Sequence, residues 1–111
     1  MEHGYARGAQ AADPIRFDIS RRVDALDRNY RHLSIDEIAR EADDLRHLGW
    51  AHGFAAVCRL AGALNDAVSR EGRAAMIPAY LEYLREATWS DPRDDRAGEL
   101  LLAAVSVRLA S

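Results

Sequence analysis

The side chains best suited to chemistry or binding lie in one short stretch, "ADDLRHLGWAH", residues 42–52. Asp43 and His47 are four residues apart and Trp50 follows three residues later, so an α-helix places all three on one side. Arg46 borders this side. Large exposed aromatic side chains tend to mark contact surfaces, and an indole beside charged groups is typical of protein interfaces. The spacing therefore favours a partner-binding surface.

A metal site is a second possibility for the same residues, but the spacing disfavours it. Asp43 and His47, at positions i and i+4, suit a metal geometrically, yet a site needs three or four ligands. His52 lies about 140° from His47 on an ideal helix and does not share its face. We expect His47 to pair with Asp43 at the surface. His52 is predicted either to follow the core side or to cap the helix C-terminus, where the dipole favours a cation. No metal or other cofactor is predicted.

The composition restricts the class of protein. The chain has 111 residues, 49% of them hydrophobic and 30% charged, which fits one globular helical domain. Its single cysteine, Cys58, excludes an intramolecular disulfide. All fifteen basic residues are arginine, so Schiff-base and P-loop lysine chemistry is excluded. The arginines are dispersed and the net charge is −3, which argues against nucleic-acid binding.

The N-terminus gives no targeting signal. Residues 1–14 lack a basic patch leading into an apolar segment, so they are not a signal peptide. They are predicted to be a flexible tail before a single domain, residues 15–111. No stretch approaches the roughly 20 apolar residues that a bilayer requires. We therefore predict a cytoplasmic protein without membrane contact.

The helix that positions the candidate surface has the clearest boundaries in the sequence. Ser34 and Glu37 have the spacing of a capping box, which predicts the helix start. Gly53 is predicted to end the helix, because glycine tolerates the left-handed conformation of a C-terminal cap. The inward residues are predicted to be Ile38, Ala42, Leu45 and Gly49.

The other helices are predicted from apolar residues that recur every three or four positions. They cover residues of about 18–31, 54–72, 74–89 and 92–109. Short connections make neighbouring helices antiparallel, so we predict an all-α, up-down bundle of about five helices with a four-helix core. The predicted inward residues are, in chain order, Ile19, Val23, Leu26, Tyr30 and Leu33; Phe54, Val57, Ala61, Leu64 and Val68; Ile77, Leu81 and Leu84; and Ala97, Leu100, Leu101, Ala104 and Val107.

The stretch "ADDLRHLGWAHGF" resembles the histidine-phosphotransfer (HPt) domain of bacterial phosphorelays. That family is a helical bundle with the motif A-H-x-L-K-G-x-A and a glycine ten residues after the histidine. In this chain Ala42 matches the leading alanine and Leu45 the leucine. Arg46 stands for the basic residue, while Gly49 and Gly53 take the small and the later glycine positions.

Two departures fall where the chemistry of the family takes place. The phosphoacceptor position holds Asp43, and His47 replaces a neighbouring glycine. Aspartyl phosphorylation needs a Mg²⁺ held by an acidic cluster. The resemblance, which covers about residues 19–72, therefore implies a degenerate, non-enzymatic member of a two-component system. It would bind a response-regulator receiver domain or a histidine kinase without phosphotransfer, with Asp43, Arg46, His47 and Trp50 as part of the contact surface.

Two alternatives remain open. In a second register of the resemblance His52 is the acceptor, with Ala56 at the small position and Gly62 ten residues on. This alternative is an active phosphotransfer protein that uses His52, or His47. The other alternative is an unrelated helical interaction module or homodimer with an apolar patch elsewhere, for example around Tyr80 and Tyr83. The sequence leaves the oligomeric state open.

Overall fold

The computed structural model describes residues 2–72, 74–92 and 94–110, with the side chains of residues 14–72, 75–92, 94 and 96–110. These ranges contain no strand, and the prediction of an all-α helical bundle is confirmed. Short 3₁₀ turns, Tyr30–His32 and Ala74–Met76, follow the first helix and precede the fourth. The five helices are α1 (Glu2–Asn29), α2 (Ile35–Ala51), α3 (Ala55–Glu71), α4 (Ile77–Thr88) and α5 (Asp95–Ala110).

Helix α2 begins and ends where the sequence predicts. The Ser34 hydroxyl accepts the Glu37 N–H at 3.1 Å, and the Glu37 carboxylate accepts the Ser34 N–H at 2.9 Å. Hydrogen bonding of the Glu37 carboxyl to the main chain and the side chain of Ser34 holds the pKa of Glu37 below its usual value. At the other end Gly53 adopts a φ of +78°, and the Phe54 N–H donates to the Gly49 carbonyl at 2.7 Å. Both boundaries of α2 are therefore fixed by hydrogen bonds close in sequence.

The hydrophobic core centres on α3, which packs against α2, α4 and α5, while α1 packs against α4 and α2. Every predicted inward residue of α2, α3 and α4 is buried. Four of the five predicted for the first helix are buried too, and Leu33, which lies beyond its end, packs against the core half-buried. The alternation of apolar and charged positions thus identifies the packed side of four helices.

Two glycines allow helices to approach α3 closely. A Cβ on Gly49 of α2 would lie 3.0 Å from the Cys58 nitrogen and 3.1 Å from the Phe54 oxygen, both main-chain atoms at the start of α3. A Cβ on Gly98 of α5 would lie 3.1 Å from the Ala56 Cα. Larger residues at these positions would force the helices apart.

Helix α1 begins earlier than predicted. It runs from Glu2, whereas the apolar spacing predicts a start near residue 18, and it contains Pro14. The residues before Pro14 are rich in alanine, which favours helix without any apolar stripe, so periodicity does not detect them. The division into a flexible tail of residues 1–14 and a domain of residues 15–111 stays a prediction.

The predicted inward side of α5 is wrong in part. Leu100 and Val107 are predicted to face inward, but these two residues are 65% and 69% exposed. The residues that face α3 and α4 are instead Gly98 and Val105, with Leu101, Leu102, Ala97 and Ala104 half-buried. Apolar residues surround α5, so their spacing does not single out one side. Neither α5 nor any other helix in the described ranges has the length and hydropathy to cross a bilayer.

Candidate functional site

The outward side of α2 carries the four predicted surface residues together. The burial of Ala42, Leu45 and Gly49 fixes the rotation of the helix, so Asp43, Arg46, His47 and Trp50 point away from α3 or along its edge. Trp50 is 77% exposed, His47 is exposed, and Asp43 and Arg46 are partly exposed. The bundle thus presents an indole, an imidazole and an ion pair on one side of a packed helix.

Asp43 and Arg46 form a two-point contact. Nε and Nη2 of Arg46 donate to Oδ1 of Asp43 at 3.0 and 2.8 Å. The aliphatic part of Arg46 packs over Gly62 of α3, where a Cβ would lie 3.2 Å from Cδ of the arginine. The bonds to Asp43 raise the pKa of Arg46. Arg46 is therefore a fixed cation at the junction of α2 and α3.

His47 is oriented by Asp43. Nδ1 of the imidazole lies 2.9 Å from the main-chain oxygen of Asp43 and 3.4 Å from its carboxylate Oδ2. Both neighbours are acceptors, so the proton is on Nδ1, and in the neutral ring Nε2 keeps its lone pair. Nε2 is 3.4 Å from Nη2 of Arg46. The result is an exposed imidazole whose Nε2 lies beside a guanidinium group.

His52 has a different position. It is the C-terminal cap of α2, where its N–H donates to the Leu48 carbonyl at 3.2 Å, and its side chain is exposed. The predicted capping position is confirmed, and the alternative of an inward-facing His52 is wrong because α2 ends before that residue. The structure therefore separates His52 from the group formed by Asp43, Arg46 and His47.

A second group of interacting side chains is not predicted from the sequence. The Arg16 guanidinium lies 5.4 Å from the ring centroid of Phe54 and 5.5 Å from that of Trp89, and it donates to the Thr88 carbonyl at 2.6 Å. Phe17 packs edge-on against Trp89, with ring centroids 5.6 Å apart. This cluster joins α1 to the end of α4. Its members are far apart in sequence, and the only local signal was a tryptophan next to a helix end.

The described residues offer few other places where a small ligand or a metal ion could bind. A cleft of about 420 Å³ lies between the end of α1 and the first half of α2. Its lining residues are Ala25, Leu26, Asn29, His32, Leu33, Glu37, Arg40 and Glu41. Among the described side chains, no group of three or more His, Cys, Asp or Glu residues is arranged to hold a metal ion.

Comparisons with protein-family models, with curated proteins and with solved structures found no match for this chain. The candidate surface on α2 is therefore interpreted from its own residues, their geometry and the short motif around Asp43. The roles of Asp43, Arg46, His47 and Trp50 in binding stay predictions.

Proposed function

We propose that this chain is an HPt-like, cytoplasmic signalling protein that binds a receiver domain or a histidine kinase through the outward side of α2 without carrying phosphate. The observation that supports this most is the exposure of Trp50 on a helix whose opposite side is fully packed. Water contact with so large an apolar ring is unfavourable, and tryptophan is enriched among the residues that dominate binding energies. A partner that covers this ring removes its unfavourable contact with water, and this contributes to the free energy of binding.

The neighbours of Asp43 favour binding over phosphotransfer. In the register of the HPt motif Asp43 is the acceptor, but its carboxylate already accepts two N–H bonds from Arg46. A carboxylate accepts a phosphoryl group when Mg²⁺ neutralises the charge on the transferring oxygens. The groups in contact with Asp43 are a guanidinium and an imidazole, rather than further carboxylates. The proposed mechanism is occupancy, in which the protein competes with or scaffolds a component of a phosphorelay.

Trp50→Ala is expected to weaken partner binding by about tenfold or more, because truncation of a central aromatic residue commonly costs 2 kcal/mol or so. The measurement is biolayer interferometry against the receiver and histidine-kinase domains encoded in the same genome. Trp89→Ala is the matched control, since Trp89 is also exposed but lies at the junction of α1 and α4. Equal affinity of Trp50→Ala and wild type, or binding to none of these domains, contradicts the proposal.

A second candidate function is supported by the geometry of His47. With Nδ1 bound to Asp43, Nε2 is the ring nitrogen whose lone pair could attack a phosphoryl group, and the side chain that carries it is exposed. The Arg46 guanidinium, 3.4 Å from Nε2, is placed to bind the oxygens of a phosphoryl group. His52 has neither feature in its position as a helix cap. The geometry therefore favours His47 over His52 as an acceptor.

Incubation with a phosphorylated receiver, or with a kinase domain and ATP, distinguishes the two functions. If His47 accepts phosphate, an acid-labile and base-stable label is expected on wild type and on His52→Gln, and no label on His47→Gln. Loss of the label in His52→Gln instead would support the second register of the motif. An unlabelled chain that still binds the partner would leave occupancy as the function.

A further inference from the structure

We propose that a second copy of this chain binds the outward side of α5, with the two α5 helices antiparallel. Four exposed apolar residues follow one another along this side at spacings of three, four and three. These are Leu100, Ala103, Val107 and Ala110, and they are called the outer stripe. This proposal concerns a different surface from α2 and does not depend on the function proposed above.

The outer stripe lies opposite the packed side of α5. Gly98 and Val105 are buried, and a Cβ on Gly98 would come within 3.1 Å of α3. At 100° per residue, the mean direction of the outer stripe is roughly opposite to that of these two residues. A helix that is apolar on both sides is typical of an element between two packed layers. One of those layers is α3 with α4, and the second copy supplies the other.

The shape of the outer stripe fits a two-fold axis at Ala103. Leu100 precedes this residue by three positions and Val107 follows it by four, so a two-fold rotation brings Leu100 of one copy beside Val107 of the other, where the two large side chains pack together. Only a small methyl group lies on the axis itself, which lets the two helices come close. The same patch on each copy thus forms the interface of a closed dimer.

The charge at the start of α5 favours the antiparallel direction. Arg96 is exposed and precedes Leu100 by one helical turn, on the same side as the outer stripe. In an antiparallel pair it lies over the last turn of the partner's α5, where the helix dipole places a partial negative charge. In a parallel pair the two Arg96 side chains would face each other. Charge complementarity of this kind occurs twice in the antiparallel dimer.

The other apolar candidates fit a self-association surface less well. Tyr80 and Tyr83, around which the sequence suggests an apolar patch, are half-buried against the core. The pair of Phe17 and Trp89 is covered in part by Arg16. The outer stripe spans only about three turns, so the dimer interface is small and a dissociation constant in roughly the micromolar range is expected.

Sedimentation velocity over a concentration series tests the dimer. Wild type is expected to shift from monomer to dimer as its concentration rises, and Leu100→Arg is expected to raise the dissociation constant about 100-fold or more. Trp50→Ala, on α2, is the control and is expected to dimerise like wild type. Circular dichroism checks that both variants are folded. A wild type that stays monomeric, or a Leu100→Arg variant that dimerises normally, overturns the proposal.

Cysteine cross-linking in a Cys58→Ser background tests the direction of the helices. Ala103→Cys places two thiols at the axis, within the Cα separation of about 4.4–6.8 Å that a disulfide needs, so oxidation is expected to give a covalent dimer. Leu100→Cys is expected to form no covalent dimer, because in the antiparallel pair position 100 of one copy faces residue 106 of the other and not the second introduced thiol. Efficient coupling of Leu100→Cys would show a parallel pair and overturn the antiparallel arrangement.

Discussion

Leu60→Ala is expected to lower the free energy of unfolding by about 2–5 kcal/mol, the range of large-to-small changes in well-packed cores. Leu60 is fully buried on α3, and that helix packs against α2, α4 and α5. The cavity left by the missing atoms is therefore enclosed on several sides and cannot collapse through the movement of one neighbour. Urea denaturation monitored by circular dichroism measures the change in the free energy of unfolding. If the slope of this free energy against urea concentration is unaltered, the unfolded state is unaffected.

The same exchange at Leu100 is the matched control. Leu100 is mostly exposed, so Leu100→Ala removes little buried surface and is expected to cost less than about 1 kcal/mol. The measurement belongs at a protein concentration low enough for the chain to be monomeric. Equal losses at Leu60 and Leu100 would contradict the orientation of α3, of α5, or of both.

Gly49→Val is expected to destabilise the bundle by at least about 2 kcal/mol. The Cβ of the new side chain would lie 3.0–3.2 Å from three atoms, which belong to α3 and to Phe54 just before it. Two of the three are main-chain atoms. Neither helix can relieve this crowding through a side-chain rotation, so α2 must shift away from α3. Thermal and urea denaturation measure the loss, and the displacement of α2 should also reduce partner binding at Trp50.

Gly53→Ala separates crowding from backbone strain. A Cβ on Gly53 meets nothing within 4 Å, but the residue has a φ of +78°, which costs an L-amino acid about 1–2 kcal/mol. We expect Gly53→Ala to lower stability by about that amount while leaving the packing of α2 on α3 intact. A Gly49→Val variant as stable as wild type would contradict the close approach of these two helices.

The sequence predicts α2 and its outward residues well because the relevant interactions are local. The capping box of Ser34 and Glu37 acts over three residues, and the stop at Gly53 depends on one backbone conformation. Between them the charged and aromatic positions alternate clearly with aliphatic or small ones, so only one rotation of the helix buries the apolar side. The placement of Asp43 and Trp50 on the outward side followed from that rotation.

The features that sequence reasoning missed depend on contacts between distant segments. Arg16 and Thr88 are 72 positions apart, and no local pattern connects a guanidinium in α1 to a carbonyl at the end of α4. The orientation of α5 failed for a different reason. Its apolar residues surround the helix, and the small size of Gly98, which decides the contact with α3, gives no hydrophobic signal.

The two tryptophans of the chain give it two separate optical probes. Trp50 already stands in water in the folded protein, so its fluorescence should change little on unfolding and move to shorter wavelength when another molecule covers it. Trp89, which packs against Phe17 and Arg16, instead senses whether α1 stays attached to α4. Trp50→Phe and Trp89→Phe variants would therefore resolve docking on one side of the molecule from loosening on the other, without any attached dye.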